Sequence, residues 1–289
     1  MTKLYTRKEG MPLYQERLSL SSWSVHRLLG LSRWTVWDAS TSRPVIHEEE
    51  GDAVITLLDL PQAVAERGFR YLELCHFHLP KVEEPYLAQL RDAFQTAGVT
   101  LHTLLIDYGD LSSPDPVRRS ADEQLIGRWI DIAEKLGAAA VRVVAGEQQT
   151  GDAVAIARSA ASLQRLLRYG AERGVQVVTE NFRELTSTLA NWQAVMEAAG
   201  SRIRTIVDFG NMQPDEKEAA IAYGARIAHS IHAKPVYLAD GSFDEEELRR
   251  NVAIASANGS VAPISVIFDQ DGDVWEGIQR IADAIVSSH

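Results

Sequence analysis

The chain has 289 residues, 45% of them apolar and 24% charged, which excludes a wholly disordered chain and fits either one large α/β domain or two ordinary ones. Its 29 Lys and Arg face 40 Asp and Glu, a net charge of −11 that argues against non-specific attachment to nucleic acid or to anionic membrane. A single cysteine, Cys75, excludes an internal disulfide and a CxxC centre; with no apolar core in Met1–Gly10 and no run near about eighteen apolar residues, the expectation is a cytoplasmic protein.

Residues 1–17 read as an N-terminal extension, and 18–289 as a single barrel domain. The first β-rich run is Leu18–Val25. After it comes a long insertion, about residues 28–51, with Trp34, Trp37 and the acidic run Glu48–Glu50. It covers the mouth of the domain, meets a second subunit in a homo-oligomer, or decorates the surface. From Asp52 the pattern is regular. Helical spacing covers Asp52–Arg67, Glu83–Ala97, Pro116–Leu136, Ala153–Arg173, Thr188–Ala199, Asp215–Gly224, Asp244–Asn258 and Asp273–Ser287. Between these helices lie β-rich runs at Arg70–Phe77, Val99–Asp107, Ala139–Ala145, Val175–Phe182, Ile203–Phe209, Ile227–Pro235 and Pro263–Asp269. Glycines 68, 98, 137 and 174 repeat where a helix hands over to a strand, as left-handed helix ends do. Eight alternating strand–helix units predict a closed α/β (β/α)8 TIM barrel.

In such a barrel the chemistry belongs at the C-terminal strand ends. Alternation places Gln176, Val178 and Glu180 on one face of the fifth strand, Arg204, Ile206 and Asp208 on one face of the sixth, and Ser230, His232 and Lys234 on one face of the seventh. Each carboxylate or imidazole taken alone reads equally as a helix cap or a surface polar group. Glu180, Asp208 and His232 at equivalent heights on successive strands form a mixed oxygen and nitrogen set suited to one divalent ion, Mn²⁺, Co²⁺, Zn²⁺ or Mg²⁺. Lys234 shares the face of His232 and suits a substrate oxygen or carboxylate, or solvent. His76 and His78 read as lining the substrate pocket or capping their strand, Asp107 and Tyr108 as touching substrate hydroxyls or making a turn, and His26 with Arg27 as holding an anion or bracing the insertion.

The runs Val177-Val-Thr-Glu180-Asn, Thr205-Ile-Val-Asp208-Phe-Gly-Asn211 and Ser230-Ile-His232-Ala-Lys234 resemble the xylose-isomerase-like TIM barrels, a superfamily of sugar isomerases and epimerases, inosose dehydratases and apurinic endonucleases. Gly68-Phe-Arg-Tyr-Leu-Glu73-Leu and Gly272-Asp-Val-Trp-Glu-Gly277 extend the likeness from about Leu18 to the end. The resemblance implies a metal bound by Glu180, Asp208 and His232 plus a strand-eight glutamate. Ile267 occupies that last position, leaving Asp269, two residues on, as the candidate fourth ligand; Asp271 and Asp273 read rather as caps of the last helix. Asn211 stands where many relatives carry histidine; it can hydrogen-bond a substrate but not act as a base. The implied function is a metal-dependent isomerase or epimerase acting on a sugar or polyol by proton transfer beside a polarised oxygen, with Glu180 and Lys234 as catalytic groups. Losing the strand-eight base raises two alternatives: a keto-polyol dehydratase on the same site, or a non-catalytic sugar-binding relative. A nuclease ranks well behind them, because Asn211 removes one of the histidines its metals need.

Overall fold

Eight short parallel strands close on themselves, so that no sheet edge is left open. The structure, a computed structural model, describes residues 14–287. The part of the expected N-terminal extension before Tyr14 therefore lies outside the described residues. In chain order the elements are β1 (Leu18–Ser21), α1 (His26–Leu29), β2 (Ser32–Asp38), β3 (Arg43–Glu49), α2 (Leu60–Ala65), β4 (Tyr71–Cys75), α3 (Glu84–Ala97), β5 (Thr100–Leu105), α4 (Pro116–Leu136), β6 (Ala140–Arg142), α5 (Ala153–Ala171), β7 (Gln176–Glu180), α6 (Leu189–Ala199), β8 (Arg204–Asp208), α7 (Lys217–Ala225), β9 (Ala228–Ala233), α8 (Glu245–Ala257), β10 (Ile264–Val266) and α9 (Val274–Val286). The barrel runs β1, β4, β5, β6, β7, β8, β9, β10 and back to β1. It is a single-domain (β/α)8 TIM barrel.

The helix boundaries follow local chemistry. Asp115, Asp152, Thr188, Asp244 and Asp273 each accept a backbone N–H at the start of a helix, the role expected of Asp273. Several elements are shorter than their patterns predict, β6 and β10 spanning only Ala140–Arg142 and Ile264–Val266, and two near the start of the chain show why. The first strand stops at Ser21, where Ser22–Val25 tighten into a 3₁₀ turn. There the Ser22 hydroxyl accepts the Cys75 N–H at 2.9 Å and the Ser24 hydroxyl bridges Val266 O and Phe268 N–H at 2.9 Å each, so side chains replace strand pairing at the seam. The first long helix, expected from Asp52, begins only at Leu60, with Pro61 in its opening turn and a Thr56–Asp59 hydrogen bond before it.

The hydrophobic core lies mainly between strands and helices, with Leu72, Leu74, Leu90, Ile126, Ile130, Leu163, Trp192, Val207 and Ile281 fully buried there. Packing is tight under α9, where a Cβ on Gly277 would sit 2.3 Å from the Phe268 ring. Gly277→Ala is expected to destabilise the fold by about 1–3 kcal/mol through overpacking. Urea unfolding would check this, and an unchanged midpoint would contradict it.

The insertion is an ordered antiparallel ribbon. Strands β2 and β3 pair from Ser32↔Glu49 to Asp38↔Arg43. At its base Gly30 and Gly51 nearly touch: a Cβ on Gly30 would lie 2.6 Å from Gly51 O. The ribbon reaches over the barrel mouth. Arg33 donates to Pro80 O at 3.1 Å, Thr35 meets His76 Nε2 at 3.4 Å, and Trp34 stacks on Phe77 with centroids 3.9 Å apart. Among the described residues no helix is long and apolar enough to cross a membrane.

Candidate functional site

The barrel interior is polar at its centre. Glu73, fully buried on β4, accepts three hydrogen bonds inside the barrel: from Thr103 Oγ1 on the neighbouring β5 at 3.1 Å, and from Ser265 Oγ on β10 and His232 Nε2 on β9 at 2.7 Å each. Below it the His102 and His229 rings stack 4.1 Å apart, from strands on opposite sides. Burial alone would push the Glu73 carboxyl up, but the His232 ring and its other donors hold it well below the usual carboxylate range.

Above this layer, Glu180, Asp208 and His232 converge at the C-terminal ends of β7, β8 and β9. One ligand atom from each lies within 4.8 Å of the others, and all three residues are buried. His232 Nδ1 stands 3.3 Å from Glu180 Oε1 and 3.4 Å from Asp208 Oδ2. Among the described residues this is the group of metal-type donors that comes together in this way. Burial pushes the His232 imidazole down, yet the Glu73 and Glu180 carboxylates outweigh it and raise it well above its ordinary value. The second oxygen of Glu180 is held by Arg142 Nε at 3.0 Å. Arg142, buried on β6, also pairs with Asp107 and donates to Ile106 O at 3.1 Å. Burial works against its charge, but the two carboxylates keep it firmly protonated.

These groups line a cavity of about 270 Å³. Asp107, Asn211, Lys234 and Asp269 face the same cavity. Trp23, Trp34, Phe77 and Phe182 supply an aromatic wall, and Ile267 stands on it where a carboxylate would complete the family's set. Asp269 does not join the Glu180–Asp208–His232 group, because its carboxylate is paired with Lys234 Nζ at 2.7 Å. Burial lowers the affinity of Lys234 for its proton, but Asp269 more than restores it.

His76 and His78 lie elsewhere than expected. The chain leaves β4 at Cys75 and turns as a 3₁₀ segment, so Phe77 faces the cavity and both imidazoles are buried behind it. His78 Nδ1 is bonded by Ser22 Oγ at 2.9 Å, and His76 meets the edge of Trp129 in a groove of about 410 Å³ between the ribbon and α4. Burial lowers their imidazoles to about 4 and about 3. His26 and Arg27 brace loops: His26 stacks on Trp23 at 4.5 Å, and Arg27 donates to Gln270 O and Gly272 O at 2.7 and 3.2 Å.

Three residues that sequence reasoning passed over shape the site. Arg142 is a lone charge inside the apolar run Ala138–Ala145, itself a signal, since unpaired charge is rare in a buried strand. Glu73 lies in the run Gly68–Leu74, where strand spacing alone suggests no partner for it. Arg183, in the loop after β7, lines the cavity with backbone angles φ 67 and ψ 175, a conformation open to glycine that costs other residues about 1–3 kcal/mol.

A parallel eight-stranded barrel with convergent carboxylates and an imidazole at its C-terminal mouth has the layout of the TIM-barrel enzymes. Residues 61–268 match the xylose isomerase-like TIM barrel family, and the chain belongs to that family. No curated protein matches the sequence. Among solved structures, an L-ribulose 3-epimerase is similar over 94% of this chain and 95% of its own, with a TM-score of 0.69 at 17% identity. The probable 3-DHS dehydratase AsbF from Bacillus anthracis is similar over 94% and 100%, with a TM-score of 0.68 at 12% identity. A D-psicose 3-epimerase from Clostridium cellulolyticum H10, crystallised with D-tagatose, is similar over 94% and 96%, with a TM-score of 0.61 at 16% identity. At these identities the likeness is one of fold.

Proposed function

We propose that this protein is a divalent-metal-dependent enzyme that moves a proton beside a carbonyl or hydroxyl carbon of a small sugar or polyol, as sugar isomerases and epimerases do. The observation that carries the reading is the setting of His232. Its Nε2 is fixed on Glu73 and its Nδ1 points between the carboxylates of Glu180 and Asp208, where a divalent cation would take the place of the Nδ1 proton. Five carboxylates, Glu73, Asp107, Glu180, Asp208 and Asp269, gather around three permanent cations, Arg142, Arg183 and Lys234, a surplus of negative charge that suits a dication. Three protein donors leave positions open for substrate.

Glu180, Asp208 and His232 would hold a divalent cation, which would supply Lewis-acid polarisation of a neighbouring substrate oxygen. The chain supplies the rest. Glu180 carries the proton, and Arg142 on its second oxygen fixes the carboxylate's orientation. Lys234, kept protonated by Asp269, donates to a substrate oxygen that gains negative charge. Asp107 and Asn211 offer hydrogen bonds to hydroxyls, while Trp23, Trp34 and Phe77 cover the apolar face of a ring and exclude water.

Ile267 favours a second reading on the same site. With no base facing Glu180 from β10, a one-base dehydration of a keto-polyol needs fewer groups than a two-base epimerisation. Elemental analysis after incubation with Mn²⁺ or Zn²⁺, and turnover of ketoses, inososes and sugar acids in D₂O, test both. Bound metal with deuterium entering a product of unchanged composition is the expected result, and loss of water selects the dehydratase. An empty site with no exchange on any substrate would leave only a sugar-binding protein.

A further inference from the structure

We propose that Arg183 binds an anionic group on the substrate, so that the ligand of this cavity is a small hydroxylated compound bearing a carboxylate or a phosphate. The inference deepens the proposed function and rests on it for the reaction, though not for the anion preference. The cavity holds three cationic side chains, and two are in close ion pairs, while the third, Arg183, acts on the Asp107 carboxylate only from beyond ion-pair distance. Arg142 is held by Asp107, Glu180 and the Ile106 carbonyl, and Lys234 by Asp269. Arg183 has no ion-pair partner within 4.0 Å among the described residues, although Glu184 is its neighbour in the chain. Its guanidinium carbon lies 4.9 Å from the Phe182 ring centroid, within cation–π range, a contact that uses none of its N–H donors. Such an edge takes a carboxylate or phosphate by two parallel hydrogen bonds.

The backbone points the same way. Arg183 occupies a conformation that glycine would adopt without strain. The loop is locked there by Thr186, whose hydroxyl accepts the Phe182 N–H at 3.0 Å and stands 3.1 Å from Glu180 O. A strained arginine three residues from Glu180, exposed yet lining the same cavity, is placed to select substrate rather than to hold the fold.

Calorimetric titration of two matched pairs tests this: D-gluconate against D-glucitol, and D-fructose 6-phosphate against D-fructose, on wild-type protein, Arg183→Gln and Arg183→Gly. The charged member of at least one pair is expected to bind wild type about tenfold more tightly or better, with the preference shrinking as salt rises. Which pair responds separates carboxylate from phosphate. Both variants should lose the preference while keeping their affinity for the neutral member, and Arg183→Gly should also raise the Tm by releasing the backbone. Equal binding of charged and neutral members, absence of binding by all four, or a preference that survives both substitutions would overturn the inference. Deuterium exchange on neutral ketoses with equal binding sinks this inference alone, whereas an anion preference in a protein without metal or exchange sinks the proposed function alone.

Discussion

Glu180→Gln is expected to lower kcat/KM by about 10³-fold or more, within or beyond the range for loss of a general acid–base group. Two losses coincide in this residue. Glu180 Oε1 is one of the two carboxylate oxygens facing His232 Nδ1, and an amide there is a weaker, uncharged ligand. The second oxygen of the same carboxylate forms an ion pair with the buried Arg142 guanidinium, Nε at 3.0 Å, which restrains the group that passes the proton. Glutamine keeps the shape, and Arg142 keeps Asp107 and Ile106 O, so the fold should survive. The comparison to make is steady-state turnover, bound metal and thermal melting of wild type and variant side by side. Wild-type turnover in a folded Glu180→Gln protein would remove Glu180 from the mechanism.

The second large effect is expected at a residue that does not face the cavity. Glu73→Gln should weaken metal affinity by about 10–100-fold, the range for loss of a carboxylate behind a ligating histidine. All three donors aimed at Glu73, from Thr103, Ser265 and His232, find carboxylate oxygens. Glutamine offers one oxygen and one NH₂, and although the Thr103 or Ser265 hydroxyl can turn to accept from the NH₂, a ring N–H that faces it is a donor meeting a donor. If the NH₂ faces His232, the neutral ring carries its proton on Nδ1, the atom facing Glu180 and Asp208. Mn²⁺ or Zn²⁺ titration followed by calorimetry gives the affinity directly, and an unchanged value would show that Glu73 merely fills the barrel. Glu180 and Asp208 stay in place in this variant, which separates orienting the ligand from supplying it.

The contrast between these two residues shows what a sequence can and cannot reveal in this fold. Glu180, Asp208 and His232 are legible because each is a polar residue near the C-terminal end of an alternating strand face, and neighbouring parallel strands bring those ends together. The partnership of Glu73 with His232 spans 159 residues and crosses the barrel, and exists only once β1 has closed between β4 and β10. Arg142 is hidden in the same way: its carboxylates are 35 residues before it and 38 after. His76 and His78 were misplaced for a local reason. Alternation puts residues 76 and 78 on one strand face, but the strand ends at Cys75 and the turn that follows presents Phe77 instead. Asp269 was placed at the right height, but its pairing with Lys234 depends on side-chain contact between two adjacent strands, which spacing does not encode.

The near-contact of Gly30 and Gly51 makes the ribbon a cassette on a fixed hinge. Chain enters and leaves it at one point, so residue pairs can be added or removed at the tip between Asp38 and Arg43 without shifting any barrel strand. Each added pair would lengthen the overhang by about 3.3 Å. Trp34, which forms part of the cavity wall, pairs with His47 near the base, so changes at the tip alter the overhang while Trp34, Glu180, Asp208 and His232 stay where they are. In a lineage of such enzymes, the overhang and the reaction chemistry would then evolve on separate stretches of chain.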